Sequence, residues 1–276
     1  MAVSLVVVKI GGDVVADSLG LDELIAEFEA LHAQGSRLIV IHGGGPQATH
    51  LTRRLGLQPT VVGGRRITSP QVLEVMKMTL AGSVSVDLMA ACRAHKLPAL
   101  GLSGVSAGLI QATKRPPRIV SGCGDEAVDF GEVGDVTGVN IQAIQALLDA
   151  GFIPMISSLS ADKNGRVLNI NADIVACQMA IALQADALVL VTGADGVMAD
   201  LEIADTRYPE LTVSEAKALI SDGTVYGGMI PKLEESFRVV EAGVGRVIIL
   251  RMGTAGCIST AIAGSTEHGT TLHADV

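Results

Sequence analysis

The chain has 276 residues, 49 per cent of them apolar, and a formal net charge of −9. That length supports a substantial core, and an acidic surface disfavours nucleic acid and anionic membranes. With four Phe, two Tyr and no Trp there are few platforms on which bases could stack.

The cysteines Cys92, Cys123, Cys177 and Cys257 stand far apart, without a C-x-x-C pair. This excludes the common zinc spacings and argues for thiols in a reducing, cytoplasmic compartment. No basic leader precedes the first strand-like run, and no stretch of about 18 uninterrupted apolar residues points to a membrane span.

In chain order, LVVVKIGG is a buried strand that ends in Lys9, followed by Gly11 and Gly12. A lysine at such a place needs a partner, and two glycines open the backbone to close approach. The spacing is not that of a P-loop. Residues 21–33 show helical spacing, and RLIVIHGGG is a second strand ending in Gly43, Gly44 and Gly45. PQATHLTRRLGL is a helix, and residues 70–96 form a long helical stretch that Gly82 is expected to break. LPALGLSG is a third strand. Residues 105–138, rich in Gly, Pro, Lys and Asp with short alternating runs such as GLIQATK, read as inserted β-hairpins. Then come the helix VNIQAIQALLDAGF, the strand IPMISSLS, the helix NADIVACQMAIALQA and the strand and turn ADALVLVTGADGV. The helix IPKLEESFRVVEAGV and the strand GRVIILRMG follow.

Near-continuous Val, Ile and Leu strands alternating with helices predict an α/β fold with a mainly parallel sheet covered on both faces. Ligands bind beyond the carboxyl ends of such strands. The glycine-rich ends after Lys9, His42, Leu102 and Thr192 are therefore expected at one edge. Two lobes sharing one sheet, about 1–178 and about 179–276, fit better than two separate domains.

Several clusters carry chemistry. The triple glycine of IHGGGP offers three N–H groups near a helix start, which suits an anion nest as well as a tight turn. His42 beside it reads as a packed histidine. NINADIVA places Asn169, Asn171 and Asp173 before a helix; one N-cap explains one of them, and the others can face a ligand. Lys232 in YGGMIPK is either a solvated lysine or one that reaches into a cleft. In GRRIT, Arg65 and Arg66 can each grip a carboxylate, and chemistry alone does not separate them. The tripeptide DFG at 129–131 lacks the other parts of the protein-kinase set, so Asp129 is placed in a hairpin.

Together VKIGG, IHGGGPQ, GRRIT, GLSG, GFIPMISSL, LNINADIVA, VLVTGADGV and GGMIPK, ending near GTTL, resemble the amino-acid kinase family, in its order and over nearly the whole chain. The arginine before I-T and the asparagine two before N-A-D resemble the branch that phosphorylates the side-chain carboxylate of N-acetyl-L-glutamate in arginine biosynthesis. The resemblance implies a three-layer αβα sandwich. It implies that Lys9 meets the phosphoryl group in transfer, that Lys232 stabilises the leaving side of ATP, and that Asp173 holds both lysines. Gly43, Gly44 and Gly45 would surround the acceptor and phosphoryl groups, and Arg66 and Asn169 would bind the acetylglutamate. Gly11, Gly12, Thr192, Gly193, Asp195, Gly196 and Lys232 would serve the nucleotide, giving an acceptor-binding first lobe and an ATP-binding second lobe.

Mg²⁺ would be held mainly by phosphate oxygens and water, with no protein ligand named. Where the family often has T-D-x-D-G, this chain has Thr192, Gly193, Ala194, Asp195 and Gly196, so a carboxylate near the nucleotide is lost. GVSAG lacks the usual Lys-Asp after S-G, and ILRMGTAG replaces a histidine-containing stretch. The first strand begins at once, where arginine-inhibited hexameric members carry an extra helix. A homodimer paired through 70–96, and no arginine-sensitive hexamer, is therefore expected. Partners are small molecules, not nucleic acid or membrane. The alternatives are a related kinase of aminoadipate derivatives or another small acid, and a non-catalytic nucleotide or amino-acid sensor.

Overall fold

Three apolar residues in a row, Val6 to Val8, make the first strand of the sheet that organises everything else. The computed structural model describes residues 4–63, 65–119, 126–200, 203, 206–253 and 255–275. Cys123 lies outside them. β1 (Leu5–Ile10) leads through α1 (Gly12–Ala16) and α2 (Ser18–Ala33) to β2 (Arg37–His42) and α3 (Gly45–Arg54). A hairpin of β3 (Thr60–Val62) and β4 (Arg65–Ile67) precedes α4 (Pro70–Met76), a π-helical segment (Lys77–Val84) and α5 (Ser85–Ala94). β5 (Ala99–Ser103), β6 (Ile110–Lys114), β7 (Gly134–Val139), α6 (Ile141–Asp149), β8 (Ile153–Ser157), β9 (Leu159–Ala161) and β10 (Val167–Asn169) follow. The rest is α7 (Ala172–Leu183), β11 (Ala187–Val191), β12 (Glu210–Thr212), α8 (Val213–Ser221), α9 (Met229–Glu241), β13 (Val247–Leu250), α10 (Cys257–Ile262) and β14 (Thr270–His273).

The main sheet has eight strands in the order β12-β14-β13-β11-β1-β2-β8-β5. Every neighbouring pair is parallel except β13 with β14. Parallel strands need both faces covered, and successive side chains of β1 point to opposite faces. Val7 packs with α6, α7, α8 and α9, whereas Val6, Val8 and Ile10 pack with α2, α5 and α10. This is the αβα sandwich. The alternation also decides the site: Lys9 shares the parity of Val7, so it points to the layer that holds α7 and α9.

The inserted segment forms a second sheet, β10-β9-β6-β7, in which β6 and β7 are antiparallel. IPMISSLS does not remain one strand. It breaks at Ser158, so that β8 stays in the main sheet and β9 joins the second. TGADGV likewise lies past the end of β11 and is loop. The hairpin β3–β4 has no counterpart in the sequence reading. Its signal is the short β-branched run before Gly63 and Gly64.

Gly82 does not break the helix that contains it. The helix runs from Pro70 to Ala94 and passes the glycine in its π-helical segment. A helical glycine costs only about 1 kcal/mol. Buried Val72, Leu73, Met76, Leu80, Val84 and Leu88 anchor the helix on both sides of it. By length and composition this is also the one helix among the described residues apolar enough to cross a membrane, although no 18-residue apolar run is visible in it; much of its apolar surface packs in the protein core.

His42 ends β2 with no exposed surface, and its Nδ1 lies 3.1 Å from the Gly43 carbonyl, to which it donates when protonated there. Nε2 has no partner among the described residues. Burial lowers its pKa from 6.5 to about 4, against the smaller opposing effect of the Gly43 hydrogen bond. The unfolded chain takes up the proton near pH 6.5 and the folded chain only near 4. Stability from this group is therefore complete above pH 6.5 and falls as pH drops toward 4, by about 3 kcal/mol. Urea unfolding across this window is expected to show that loss, and His42→Gln is expected to remove it from the pH slope.

Candidate active site

The carboxyl ends of β11, β1, β2, β8 and β5 share one edge of the sheet, as their parallel register requires. A cleft of about 370 Å³ opens there, between the sheet edge, the start of α7 and the β3–β4 hairpin. Lys9, Gly11, Gly12, Gly43, Gly44, Gly45, Arg66, Asn169 and Asp173 all line it.

At its floor the Asp173 carboxylate binds two ammonium groups. Lys9 Nζ is 3.0 Å from Oδ1 and Lys232 Nζ is 2.9 Å from Oδ2. The three side chains are only 12, 18 and 11 per cent exposed for Lys9, Asp173 and Lys232. Each comes from a different element: β1, the first turn of α7, and the first turn of α9. Asn171 caps α7, its side chain accepting from the Asp173 N–H at 2.7 Å. Burial alone would raise the Asp173 pKa, but the two lysines outweigh it and hold it at about 2. The floor therefore carries two positive charges and one negative at neutral pH.

The glycine turns approach each other closely. A Cβ on Gly12 would stand 2.8 Å from Gly44 Cα and would overlap the Gln47 amide oxygen. Gln47 in turn donates to the Gly12 carbonyl, which ties the two turns together. Only a residue without a Cβ at position 12 lets the β1 and β2 loops meet here.

Arg66 reaches over the cleft from β4. Its Nη2 donates to Thr49 Oγ1 at 2.6 Å and to the Gly45 carbonyl at 3.1 Å, while Nη1 is buried without a partner among the described residues. Burial lowers its pKa, a sign of a cation held out of water. Asn169 Nδ2 donates to Thr68 Oγ1 at 3.1 Å, which ties β10 to the end of the β3–β4 hairpin. The two motifs GRRIT and NINAD, a hundred residues apart in sequence, thus share one wall. Arg65 lines the same cleft, so geometry keeps both arginines near the ligand space.

The residues 192–196 are placed differently. None lines this cleft. Arg251, at the end of β13, donates to the Gly193 carbonyl through Nε at 2.8 Å and lies 3.5 Å from Asp195 Oδ1. Asp195 faces a second cleft with Arg207, Arg251 and His268. Asp129 of DFG accepts from the Gly131 N–H at 2.9 Å, a local turn in the second sheet's approach, and its Oδ2 lies 3.7 Å from Lys114 Nζ.

Sequence reasoning missed Asp13, Arg115 and Ser158, which also line the cleft. Arg115 is buried and paired with Asp135, its Nε donating at 2.7 Å. Its signal was the K-R-P-P run that ends β6; that of Asp13 was a charge directly after the glycine pair.

Breaking the buried trio is expected to destabilise the fold. Asp173→Asn leaves two ammonium groups facing each other, and urea unfolding should record a loss of about 3 kcal/mol. Asp173→Asn combined with Lys232→Met should recover part of it, since only one uncompensated charge remains.

The model of the amino acid kinase family matches residues 4–251. Acetylglutamate kinase of Anaeromyxobacter dehalogenans (strain 2CP-1 / ATCC BAA-258) is 45 per cent identical over 270 residues, covering 98 per cent of this chain and 99 per cent of that protein. Acetylglutamate kinase of Sorangium cellulosum (strain So ce56) is 46 per cent identical over 244 residues, 88 per cent of this chain and 86 per cent of that protein. Among solved structures, N-acetylglutamate synthase of Neisseria gonorrhoeae with coenzyme A and N-acetyl-glutamate superposes with a TM-score of 0.83 at 25 per cent identity, over 99 per cent of this chain and 60 per cent of that one. Carbamate kinase of Giardia lamblia bound to AMP-PNP shares the fold, with a TM-score of 0.72 at 18 per cent identity over 99 per cent of both chains. The chain belongs to the amino acid kinase family.

Proposed function

We propose that this protein transfers the γ-phosphoryl group of ATP to the side-chain carboxylate of N-acetyl-L-glutamate, the acetylglutamate kinase reaction of arginine biosynthesis. The observation that carries the reading is the buried, unpartnered Nη1 of Arg66, set in the same cleft as the Lys9–Asp173–Lys232 floor. A guanidinium with a vacant donor suits the fixed α-carboxylate of an amino acid. The lysine floor suits the phosphoryl group. Near-full-length identity of 45 per cent to acetylglutamate kinases supports the same acceptor.

The chemistry asks little of the protein beyond charge and position. The acceptor carboxylate is ionised at neutral pH, with an ordinary pKa of about 4, so no general base is needed. One of its oxygens attacks the γ-phosphorus, the bond to the β-phosphate oxygen breaks, and ADP leaves with that electron pair. The obstacle is repulsion between an anion and a polyphosphate, which oriented cations and N–H groups offset. Lys9 is placed for the transferred group and Lys232 for the leaving side. Asp173 orients both, and the N–H groups of the Gly43–Gly45 turn lie beside the acceptor. Asn169 positions the acceptor from the hairpin side. Mg²⁺ accompanying ATP supplies further neutralisation of phosphate oxygens when bound.

The wider reading has an acceptor-binding lobe, about 1–178, and a nucleotide-binding lobe, about 179–276, in which the loop with Thr192, Gly193, Asp195 and Gly196 contacts ATP. It has a homodimer paired through the Pro70–Ala94 helix, supported by Met78 and Val86, which remain exposed on it. A reducing, cytoplasmic setting is supported by the buried Cys92 and Cys177 thiols, both pushed up in pKa by burial, Cys92 to about 11.

Incubation with ATP and N-acetyl-L-glutamate, with hydroxylamine to trap the acyl phosphate, is expected to give hydroxamate that Lys9→Ala abolishes. Glutamate, aspartate, N-acetyl-aminoadipate, carbamate and UMP run beside it; turnover of one of these alone, or of none, overturns the reading. Arg66→Ala is expected to raise the KM for acetylglutamate by roughly tenfold to a hundredfold, the worth of a charged hydrogen bond, with the KM for ATP unchanged. Sedimentation equilibrium is expected to give a dimer that Met78→Lys with Val86→Lys converts to monomer.

A further inference from the structure

Two carboxylates line the main cleft, and they are held differently. Asp173 is locked between two lysines. Asp13, exposed at the start of α1, has no hydrogen bond or ion pair to its carboxylate among the described residues. Its Oδ1 lies over Gly11, so close that a Cβ there would overlap it. Oδ2 lies 3.8 Å from where a Cβ on Gly193 would stand. The carboxylate thus bridges the ends of β1 and β11, at the centre of the sheet edge. It lies within van der Waals reach of a side chain placed at 193.

An unpaired carboxylate in a cleft that takes a triphosphate raises a charge problem. Alone it repels the nucleotide, and Lys9 and Lys232 are already engaged with Asp173. A divalent cation between carboxylate and phosphate oxygens reverses the sign of that contact. The donor set fits: Mg²⁺ prefers hard oxygen ligands and is commonly bound by one or two carboxylates together with substrate phosphates. No group of three metal-ligating side chains occurs among the described residues, so any cation here relies on the nucleotide for its remaining ligands.

We propose that Asp13 is the protein oxygen that meets the cation of the metal–nucleotide complex, directly or through one water, and that it takes over the carboxylate role that Gly193 cannot supply. This rests on the kinase reading, but its test does not depend on turnover. Calorimetric titration with AMP-PNP, with and without Mg²⁺, reads the metal's contribution to nucleotide affinity. Wild-type protein is expected to bind about tenfold or more tightly with Mg²⁺. Asp13→Asn is expected to lose most of that gain, yet to bind metal-free AMP-PNP at least as tightly, because one repulsive charge is gone. Asp13→Asn with Gly193→Asp is expected to regain the Mg²⁺ dependence, since Gly193 has no backbone torsion that excludes a side chain and no close neighbour to its Cβ.

An unchanged Mg²⁺ effect in Asp13→Asn overturns the proposal. So does a loss of affinity that is equal with and without Mg²⁺, which marks a role in shaping α1 alone. If Asp13 behaves as proposed but no hydroxamate forms with acetylglutamate, only the acceptor assignment fails. If hydroxamate forms and Asp13→Asn keeps the full Mg²⁺ effect, only this inference fails. Absence of AMP-PNP binding to the wild-type protein overturns both.

Discussion

The ion trio of Lys9, Asp173 and Lys232 is the constraint on which the rest of the site depends. It joins the central strand of the sheet to two helices of one layer, and each contact is about 3 Å. Such a trio is a poor way to gain stability, because removing three charges from water costs several kcal/mol per ion before attraction offsets it. Its value lies in position. With its carboxylate at the centre, two ammonium groups that would otherwise repel are kept near each other and aimed at one edge. The β1 alternation that turns Val6 and Val8 to one face and Val7 to the other is what delivers Lys9 to that layer. A slip of one residue in the register of β1 would send the lysine to the wrong side of the sheet.

The main layers were legible because they follow from local pattern. Apolar runs such as ALVLV and VIIL, each wholly buried, announce buried parallel strands, and their glycine ends announce the ligand edge. Lys9, Asp173 and Lys232 could be named from sequence, but only the resemblance to a family joined them; residues 9, 173 and 232 have no local pattern in common. What was not legible depends on long-range closure. The break at Ser158 moves one apolar run between two sheets, and nothing in ISSLS marks it. Gly82 looks like a helix stop by propensity, yet buried Leu80 and Val84 outweigh a cost of about 1 kcal/mol. Arg65 and Arg66 are alike in sequence, and only the contacts to Thr49 and Gly45 distinguish the second. Asp13 escaped notice because its neighbour across the gap, Gly193, is 180 residues away.

The net charge of −9 and the cationic floor describe different length scales. Acidic residues are spread over the surface, where salt screens them within about 8 Å at physiological strength. The cleft's cations act at contact distance and partly out of water, where screening is weak. An acidic enzyme can therefore take two anionic substrates without a basic face. The same reasoning explains the absence of histidine from the proposed chemistry. His42 is the one histidine at the sheet edge near the glycine turn, and burial keeps it neutral through the range in which enzymes use histidine as a base. A carboxylate acceptor needs no proton removed, so that loss costs the reaction nothing.

The two halves of the sheet edge are held by different means. On the β1–β2 side, order comes from backbone contact: Gly12 stands so close to Gly44 that a Cβ on Gly12 would push the β2 loop away, while a Cβ on Gly44 would press on Leu80 and Val84. On the β11–β13 side, order comes from a side chain, Arg251, which grips the Gly193 carbonyl and approaches Asp195. The backbone contact at Gly12 excludes a side chain there but fixes no charge. A side-chain clamp can be exchanged for another that reaches the same carbonyl. A departure such as Gly193 is thus least costly on the clamped half. There, a carboxylate removed from one loop can be supplied from the other, provided that the gap is spanned by an atom rather than by a particular residue. Asp13, poised 3.8 Å from the vacant Cβ position, meets that condition.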